Sequence, residues 1–295
     1  MAPPTLAPPL AATLAAPALA GAREYDFRAT DFARVRSMIH ARAGINLGAQ
    51  KREMVYSRLS RRLRALGRDD FGGYLDGLAR NPEHPEWQEF VNALTTNLTA
   101  FFREPHHFDI LADFVRERVQ PVSIWCCAAS SGEEPYSIAM TLIETLGARA
   151  HKASIFATDV DTRMLARVQA GVYGAERIAK LAPERVKRFF LKGAGQYEGQ
   201  VRVRPELAAM VQVAPLNLLA PDWPIDVAKN GGFDAIFCRN VMIYFDKPTQ
   251  GQILARFAPL LKPDGLLFAG HSENFTYVTD AFRLRGQTVY ERTGS

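Results

Sequence analysis

The stretch Ser123-Ile-Trp-Cys-Cys-Ala-Ala-Ser-Ser-Gly-Glu-Glu-Pro-Tyr-Ser137 decides the fold. Ile124 to Ala128 is an apolar run of strand length, and it empties into small residues, Ala129 to Gly132. Glu133, Glu134 and Pro135 then open a helix expected over Tyr136 to Leu146, with acids and proline where a helix start favours them. A strand that ends in small residues and feeds a helix exposes backbone N–H groups and a positive dipole end to a ligand. The spacing is not a dinucleotide fingerprint, because Gly132 is the only glycine and two carboxylates would repel a pyrophosphate. Carboxylates at this place suit hydroxyls or positive charge, such as an adenosyl ribose or a sulfonium. An ordinary strand–turn–helix corner, with its acids complementing the dipole, is the plainer alternative.

From Phe108 onward the pattern alternates helix and strand. A helix over Phe108 to Val119 precedes the first strand. Ser154 to Val160 is the second strand; it ends in Asp159 and Asp161, and an acid at that tip can take both hydroxyls of a ribose. A helix over Thr162 to Ala170 follows. Met210 to Ala214 and Phe233 to Cys238 read as the third and fourth strands, the latter ending in Arg239-Asn240. A helix over Thr249 to Leu261 leads to a fifth strand, Leu266 to Ala269. A last hairpin turns at Gly286-Gln287. Five strands with helical crossovers plus a terminal antiparallel hairpin predict an α/β, doubly wound, Rossmann-like sheet. By analogy at the level of the fold, the antiparallel hairpin marks the adenosylmethionine-dependent version against the all-parallel nicotinamide one. A turn-rich insertion from Leu191 to Gly199, followed by alternating Gln200 to Arg204, predicts a small β-subdomain at about 190–213 with a free edge.

Upstream, Arg23 to Leu94 reads as four short helices in a compact bundle. Thr30 or Asp31 is expected to cap the first, which buries Phe32, Val35, Met38 and Ile39. The second runs from about Gln50 to Leu66 with Val55, Leu59, Leu63 and Leu66 as its apolar stripe. Asp69 is expected to cap the third, and the fourth follows Pro82. Between Arg34 and Arg68 the cations Arg34, Arg36, Arg42, Lys51, Arg52, Arg58, Arg61, Arg62, Arg64 and Arg68 face one acid, Glu53. The formal charge of the whole chain is only +5, so this is a local excess. Nucleic acid, acidic lipid and an acidic protein helix are its candidate partners, with a merely solvated face as the alternative. Few aromatics interleave the arginines, which counts against RNA.

The chain has 295 residues, 47% of them hydrophobic and 23% charged, as expected of a globular protein with ample core. No uncharged apolar run is long enough to span a bilayer. Met1 to Ala22 is rich in Ala and Pro with no cation, so it reads as a disordered leader rather than a secretory signal. Cys126, Cys127 and Cys238 sit in strand-like runs and fit buried thiols of a reducing cytoplasm. No zinc spacing occurs, and no metal is expected.

Four motifs carry a resemblance to a known family: Thr95-Thr-Asn-Leu-Thr-Ala-Phe-Phe-Arg-Glu104, Ala128-Ala-Ser-Ser-Gly-Glu-Glu-Pro-Tyr-Ser137, Cys238-Arg-Asn-Val-Met-Ile-Tyr-Phe245 and Phe268-Ala-Gly-His-Ser-Glu-Asn274. In this order they resemble the chemotaxis receptor methyltransferases (CheR), from about Arg23 to the C-terminus. The resemblance implies transfer of a methyl group from S-adenosylmethionine to glutamate side chains of chemoreceptors, leaving S-adenosylhomocysteine. With the leader (1–22) outside it, the resemblance divides the chain into a basic receptor-contacting helical domain (23–95), a connector (96–107) and the methyltransferase domain (108–295). It implies cofactor contacts at Asn97, Thr99, Arg103, Glu134, Asp159, Asn217, Leu218, Cys238, Arg239 and Asn240, with Arg103 and Tyr244 at the transfer point. It places the receptor against Arg58, Arg61, Arg62 and Arg64, and a receptor tail peptide at Gly193, Gly195 and Gly199. A cytoplasmic enzyme with neither nucleic acid nor inserted membrane as partner is the expectation. The rivals are a nucleic-acid methyltransferase and a non-catalytic adaptor. Against the first, Asn240-Val-Met-Ile-Tyr244 lacks the Pro-Pro-aromatic sequence usual after the fourth strand of base-amino methylases.

Overall fold

The computed structural model describes residues 23–225 and 231–294; the leader expected over 1–22 lies outside them. Four helices come first: α1 (Ala29–Ala43), α2 (Arg52–Leu66), α3 (Phe71–Arg80) and α4 (Glu86–Leu94). They enclose a core of their own, in which Val35, Ile39, Val55, Leu59, Leu63, Leu75 and Phe90 are fully buried. The apolar residues recur at helical spacing, so each helix turns one stripe inward. Leu66, read as part of that stripe, is 42% exposed, because the helix ends there at Gly67, whose φ is 59°. Two caps also differ from expectation. Asp31 stands one turn inside α1, where its carboxylate accepts the Arg28 backbone N–H at 2.9 Å. Asp70, not Asp69, caps α3 by accepting from Gly73 N at 2.7 Å.

The rest is a mixed sheet with flanking helices. In chain order its elements are α5 (His106–Arg116), β1 (Ser123–Cys126), α6 (Glu133–Leu146), β2 (Ser154–Asp159) and α7 (Thr162–Ala170). Next come β3 (Val172–Gly174), α8 (Pro183–Phe189), β4 (Phe190–Lys192), β5 (Gln200–Val203), α9 (Pro205–Ala208) and β6 (Val211–Pro215). The last are β7 (Phe233–Cys238), α10 (Lys247–Phe257), β8 (Leu261–Ala269), β9 (Phe282–Gly286) and β10 (Val289–Arg292). Seven strands pair in the order β6-β2-β1-β7-β8-β10-β9. The first five are parallel, and the closing hairpin β9–β10 is antiparallel. Every residue of β7 is buried, as expected of a central strand covered on both faces. The chain leaves β1 toward β2 and β6 and later returns beside β1 as β7, so the crossovers reverse between β1 and β7. Ligands of such sheets bind at that reversal, at the carboxyl ends of the strands.

Two expectations shift. The hairpin turns on Gln287 and Thr288, both with positive φ (51° and 57°), while Gly286 pairs with Val289. Positive φ at both central positions is the turn that matches strand twist. Its two non-glycine residues are held from outside: Gln287 O accepts from the His107 ring at 2.9 Å, the Thr288 hydroxyl donates to Ala269 O at 2.8 Å, and Ala269 N donates back to Thr288 O at 3.0 Å. The inserted sheet is the second difference. It is three-stranded, β3-β5-β4, and begins at Val172, while Val211 onward belongs to the main sheet. Gln200–Val203 is its central strand, so its edges are β3 and β4. Three residues cannot display an alternation, which hid both edge strands.

Candidate active site

The carboxyl ends of β6, β2, β1 and β7 line one cleft, roofed by the connector and by the helical bundle. Across them the chemistry changes in order. Leu216 and Leu218 beyond β6 are apolar and buried. Asp159 closes β2. Ala128 and Ser130 follow β1, with Glu134 on the first turn of α6. Arg239 and Asn240 follow β7. Three interstrand steps of about 4.8 Å make a cleft roughly 14 Å long.

Gly132, with φ 102°, caps α6, and no side chain caps its free N–H groups. Ser130 before it and Asn240 at the facing tip also have positive φ, 47° and 58°, as do Phe102 (52°) and Glu104 (57°) in the connector. Such backbone is costly for non-glycine residues and persists where the surroundings over-determine it. Asp159 shows how. One of its oxygens accepts Ser130 N at 2.8 Å and the other Asp161 N at 2.9 Å. Burial, only partly offset by those N–H groups, raises its carboxyl to about 6.

Arg239 has no exposed side-chain surface. It lies 2.5 Å from Glu134 Oε2 and 3.2 Å from Glu104 Oε2, and it donates to the Arg103 carbonyl at 2.5 Å. Burial works against the ionised Glu104, but the Arg239 charge and the His271 hydrogen bond outweigh it and hold that carboxyl at about 2. Glu273 binds three backbone N–H groups: Asn240 at 2.9 Å, Met242 at 2.8 Å and Gly270 at 2.6 Å. It thereby fixes the turn that carries Asn240 and Tyr244. Asp161 caps α7 and accepts from Thr95 Oγ1 at 2.6 Å and Asn97 Nδ2 at 2.9 Å, tying connector to sheet.

The residues singled out from sequence separate into groups. Asn97, Thr99, Arg103, Glu134, Asp159, Asn217, Leu218, Arg239, Asn240 and Tyr244 all line the cleft. Cys238 does not; it is fully buried beside Cys127, which does. Asn97 and Asn217 face the cleft with occupied amides, since Asn217 donates to Arg42 O at 2.8 Å across to the bundle. Arg103 is partly exposed, its Nη1 donating to Leu98 O at 3.1 Å.

The basic residues of α2 are less free than their number implies. Arg58 donates to Thr95 O at 2.5 Å and Ala93 O at 3.2 Å, bracing the connector. Arg62 grips Glu86 through two bonds, 2.9 and 2.5 Å. Arg64 pairs with Glu24 at the surface. Arg61 is exposed and has no partner among the described residues. Gly193, Gly195 and Gly199 shape the β4–β5 loop: a Cβ on Gly193 would meet Tyr197 O at 2.1 Å, and the other two have φ of 59° and 79°.

Glu104, Asp161 and Glu273 are the residues that sequence reasoning left unassigned. All three stand in or beside stretches already singled out, but each also binds partners 31–167 residues away. Glu104, His106 and His107 lie within 4.8 Å of one another. An ion there would face the Arg239 guanidinium and compete with it for Glu104, and His107 already bonds Gln287 O at 2.9 Å. The donor set therefore does not fit a resident metal.

The cleft does fit an adenosyl amino acid. Its apolar end suits adenine, Asp159 a ribose, and Glu134 an ammonium or sulfonium charge. Comparison with known sequences points to the same cofactor. Residues 97–291 match "CheR methyltransferase, SAM binding domain", and residues 30–95 match "CheR methyltransferase, all-alpha domain". The chain is 59% identical over 262 residues to a chemotaxis protein methyltransferase of Klebsiella aerogenes, spanning 89% of both. It is 57% identical over 259 residues to that of Escherichia coli, covering 88% of this chain and 89% of the relative. It is 51% identical over 273 residues to chemotaxis protein methyltransferase 2 of Pseudomonas aeruginosa, covering 92% and 95%. With both parts of the chain matched and the strand-tip cleft in place, the protein belongs to the CheR family, the S-adenosylmethionine-dependent methyltransferases of chemotaxis.

Proposed function

We propose that the protein forms methyl esters on glutamate side chains of bacterial chemoreceptors, in the cytoplasm. The observation that carries this reading is the order of groups across the strand tips, which suits an adenosyl amino acid and ends where Arg103 and Tyr244 line the same cleft. When bound, S-adenosylmethionine supplies a methyl group on a sulfonium and leaves as S-adenosylhomocysteine. Leu216 and Leu218 pack the base, Asp159 takes the ribose hydroxyls and Glu134 the ammonium of the amino-acid end. The acceptor carboxylate has a reference pKa of ~4.3, so it arrives ionised and needs no general base. Arg103 orients one of its oxygens and leaves the other free, because a two-oxygen clamp would blunt the nucleophile. The Tyr244 hydroxyl donates a second orienting hydrogen bond. Alignment of this kind is worth up to roughly 7–11 kcal/mol. Closure of the connector over the cleft excludes water from the carboxylate.

In this reading the helical unit 23–95 meets the receptor through the outward face of α2, and the connector 96–107 roofs the cleft. An edge of the inserted sheet, with the Gly193–Gly199 loop, accepts a receptor tail as an added strand. No helix among the described residues is long and apolar enough to cross a membrane. The test is incubation of the purified protein with methyl-labelled S-adenosylmethionine and receptor-bearing membranes. Label released as methanol by mild base is the expected result. Base-stable label, label on added RNA, or cofactor binding without transfer would each overturn the reading.

A further inference from the structure

One side chain joins the inserted sheet, the start of α6 and the connector. Arg177 leaves the short helical turn Ala175–Ile178, directly after β3. Its Nε lies 3.1 Å from Glu133 Oε1, and its Nη2 pairs with the same oxygen. That Nη2 also donates to the Thr99 carbonyl at 3.0 Å. Glu133 is the first residue of α6 and is wholly buried; its second oxygen accepts the Ser131 hydroxyl at 2.6 Å. Neither Glu133 nor Arg177 has any task in the transfer chemistry above.

Apolar contacts run beside this ion pair. Phe101 of the connector sits edge-on between Tyr173 of β3 and Phe190 of β4, at 5.1 and 5.6 Å between ring centres. The Tyr173 hydroxyl donates to Ser131 O at 2.8 Å. The connector closes on itself through Arg103 N to Ala100 O at 3.3 Å and Arg103 Nη1 to Leu98 O at 3.1 Å. Whatever fixes Thr99 therefore fixes the turn that presents Arg103.

We propose that Arg177 is a positioning residue for methyl transfer: anchored on Glu133, it holds the Thr99 carbonyl and through it the Arg103 turn over the cleft. The inserted sheet is then part of the machinery that aligns the acceptor as well as a surface. A guanidinium suits the task because its fork reaches a carboxylate and a carbonyl together, whereas a lysine ammonium presents a single point charge. The inference rests on the reading of Arg103 as the group that orients the acceptor.

Arg177→Lys keeps a cation against Glu133, and Arg177→Ala with Glu133→Gln removes the charge pair as a unit; both guard against simple unfolding. For each, turnover with receptor membranes is measured beside calorimetric titration with S-adenosylhomocysteine. A misplaced reacting group costs on the order of a hundredfold, so kcat is expected to fall about tenfold to a hundredfold. The affinity for S-adenosylhomocysteine and the receptor KM should stay within about threefold, because only alignment is lost. Combined with Arg103→Ala, either change should add little, since both act through one group. Wild-type kcat in both variants overturns the inference. So does a loss of kcat matched by an equal loss of binding stoichiometry, which marks a purely structural role. An Arg103→Ala variant with unchanged turnover would instead sink the reading of Arg103 itself.

Discussion

Arg239, at the tip of β7, has no exposed side-chain surface and lies between Glu134 and Glu104. Arg61, on the outer face of α2, is exposed and has no partner among the described residues. Taking a guanidinium out of water costs several kcal/mol, and two well-placed carboxylates repay it only while both remain. A surface cation gains little from one partner and is screened within about 8 Å at physiological salt. The first arrangement therefore sets geometry and the second answers to approaching charge. Counting cations along α2 mixes the two kinds, since Arg58 and Arg62 are braces and only the outward members can meet a receptor.

The largest test of this contrast is Arg239→Ala. It strands two carboxylates and should cost about 3–5 kcal/mol in urea unfolding, with loss of S-adenosylhomocysteine binding. Stability within experimental scatter of wild type would mean that the buried cluster is not the keystone of the cleft. Next comes Arg103→Ala, expected to lower kcat on the order of a hundredfold, or about 2.7 kcal/mol, with little effect on S-adenosylhomocysteine affinity. Arg62→Ala leaves the buried Glu86 carboxylate, among the described residues, with only the Tyr74 hydroxyl at 3.0 Å. Its cost should be about 2 kcal/mol, read by denaturation, without a specific effect on receptor affinity.

A pH titration sharpens the comparison within the cleft. Burial lifts Asp159 to about 6. A ribose prefers the ionised form, so binding expels any proton there. S-adenosylhomocysteine affinity should be flat above about pH 7 and weaken toward tenfold per unit below the Asp159 value, or ~1.4 kcal/mol for each unit. Asp159→Asn should bind more weakly throughout and lose that slope. The smallest expected change in stability is that of Arg61→Glu, within about 0.5 kcal/mol. Its receptor KM should nevertheless rise, and rise less at high salt. Equal KM at every ionic strength would make that face solvated surface only.

The cleft was legible because its ingredients are local. A strand emptying into small residues, acids on the next helix turn and an acid ending the next strand are each contained in a few residues. The connector was legible through its polar, aromatic and charged residues in sequence. The roles of Glu104, Asp161 and Glu273 escaped assignment although they stand in the same stretches, because each also binds partners far along the chain. The caps slipped for a related reason: Asp69 and Asp70 are equivalent in pattern, and only backbone geometry chooses between them.

Periodicity and turn chemistry alone determined the alternation of strands and helices, the bundle before it and the stretches that meet at the strand tips. These are properties of neighbouring residues, and apolar spacing forces them on any compact form of the chain. Tertiary structure alone decided which charges are spent. Arg62, Asn97 and Asn217 look as available in sequence as Arg61, but long-range packing commits the first three to internal partners. It also decided that the inserted sheet holds the connector through Arg177, because ion-pair choice depends on distance in space, and chain order does not record it.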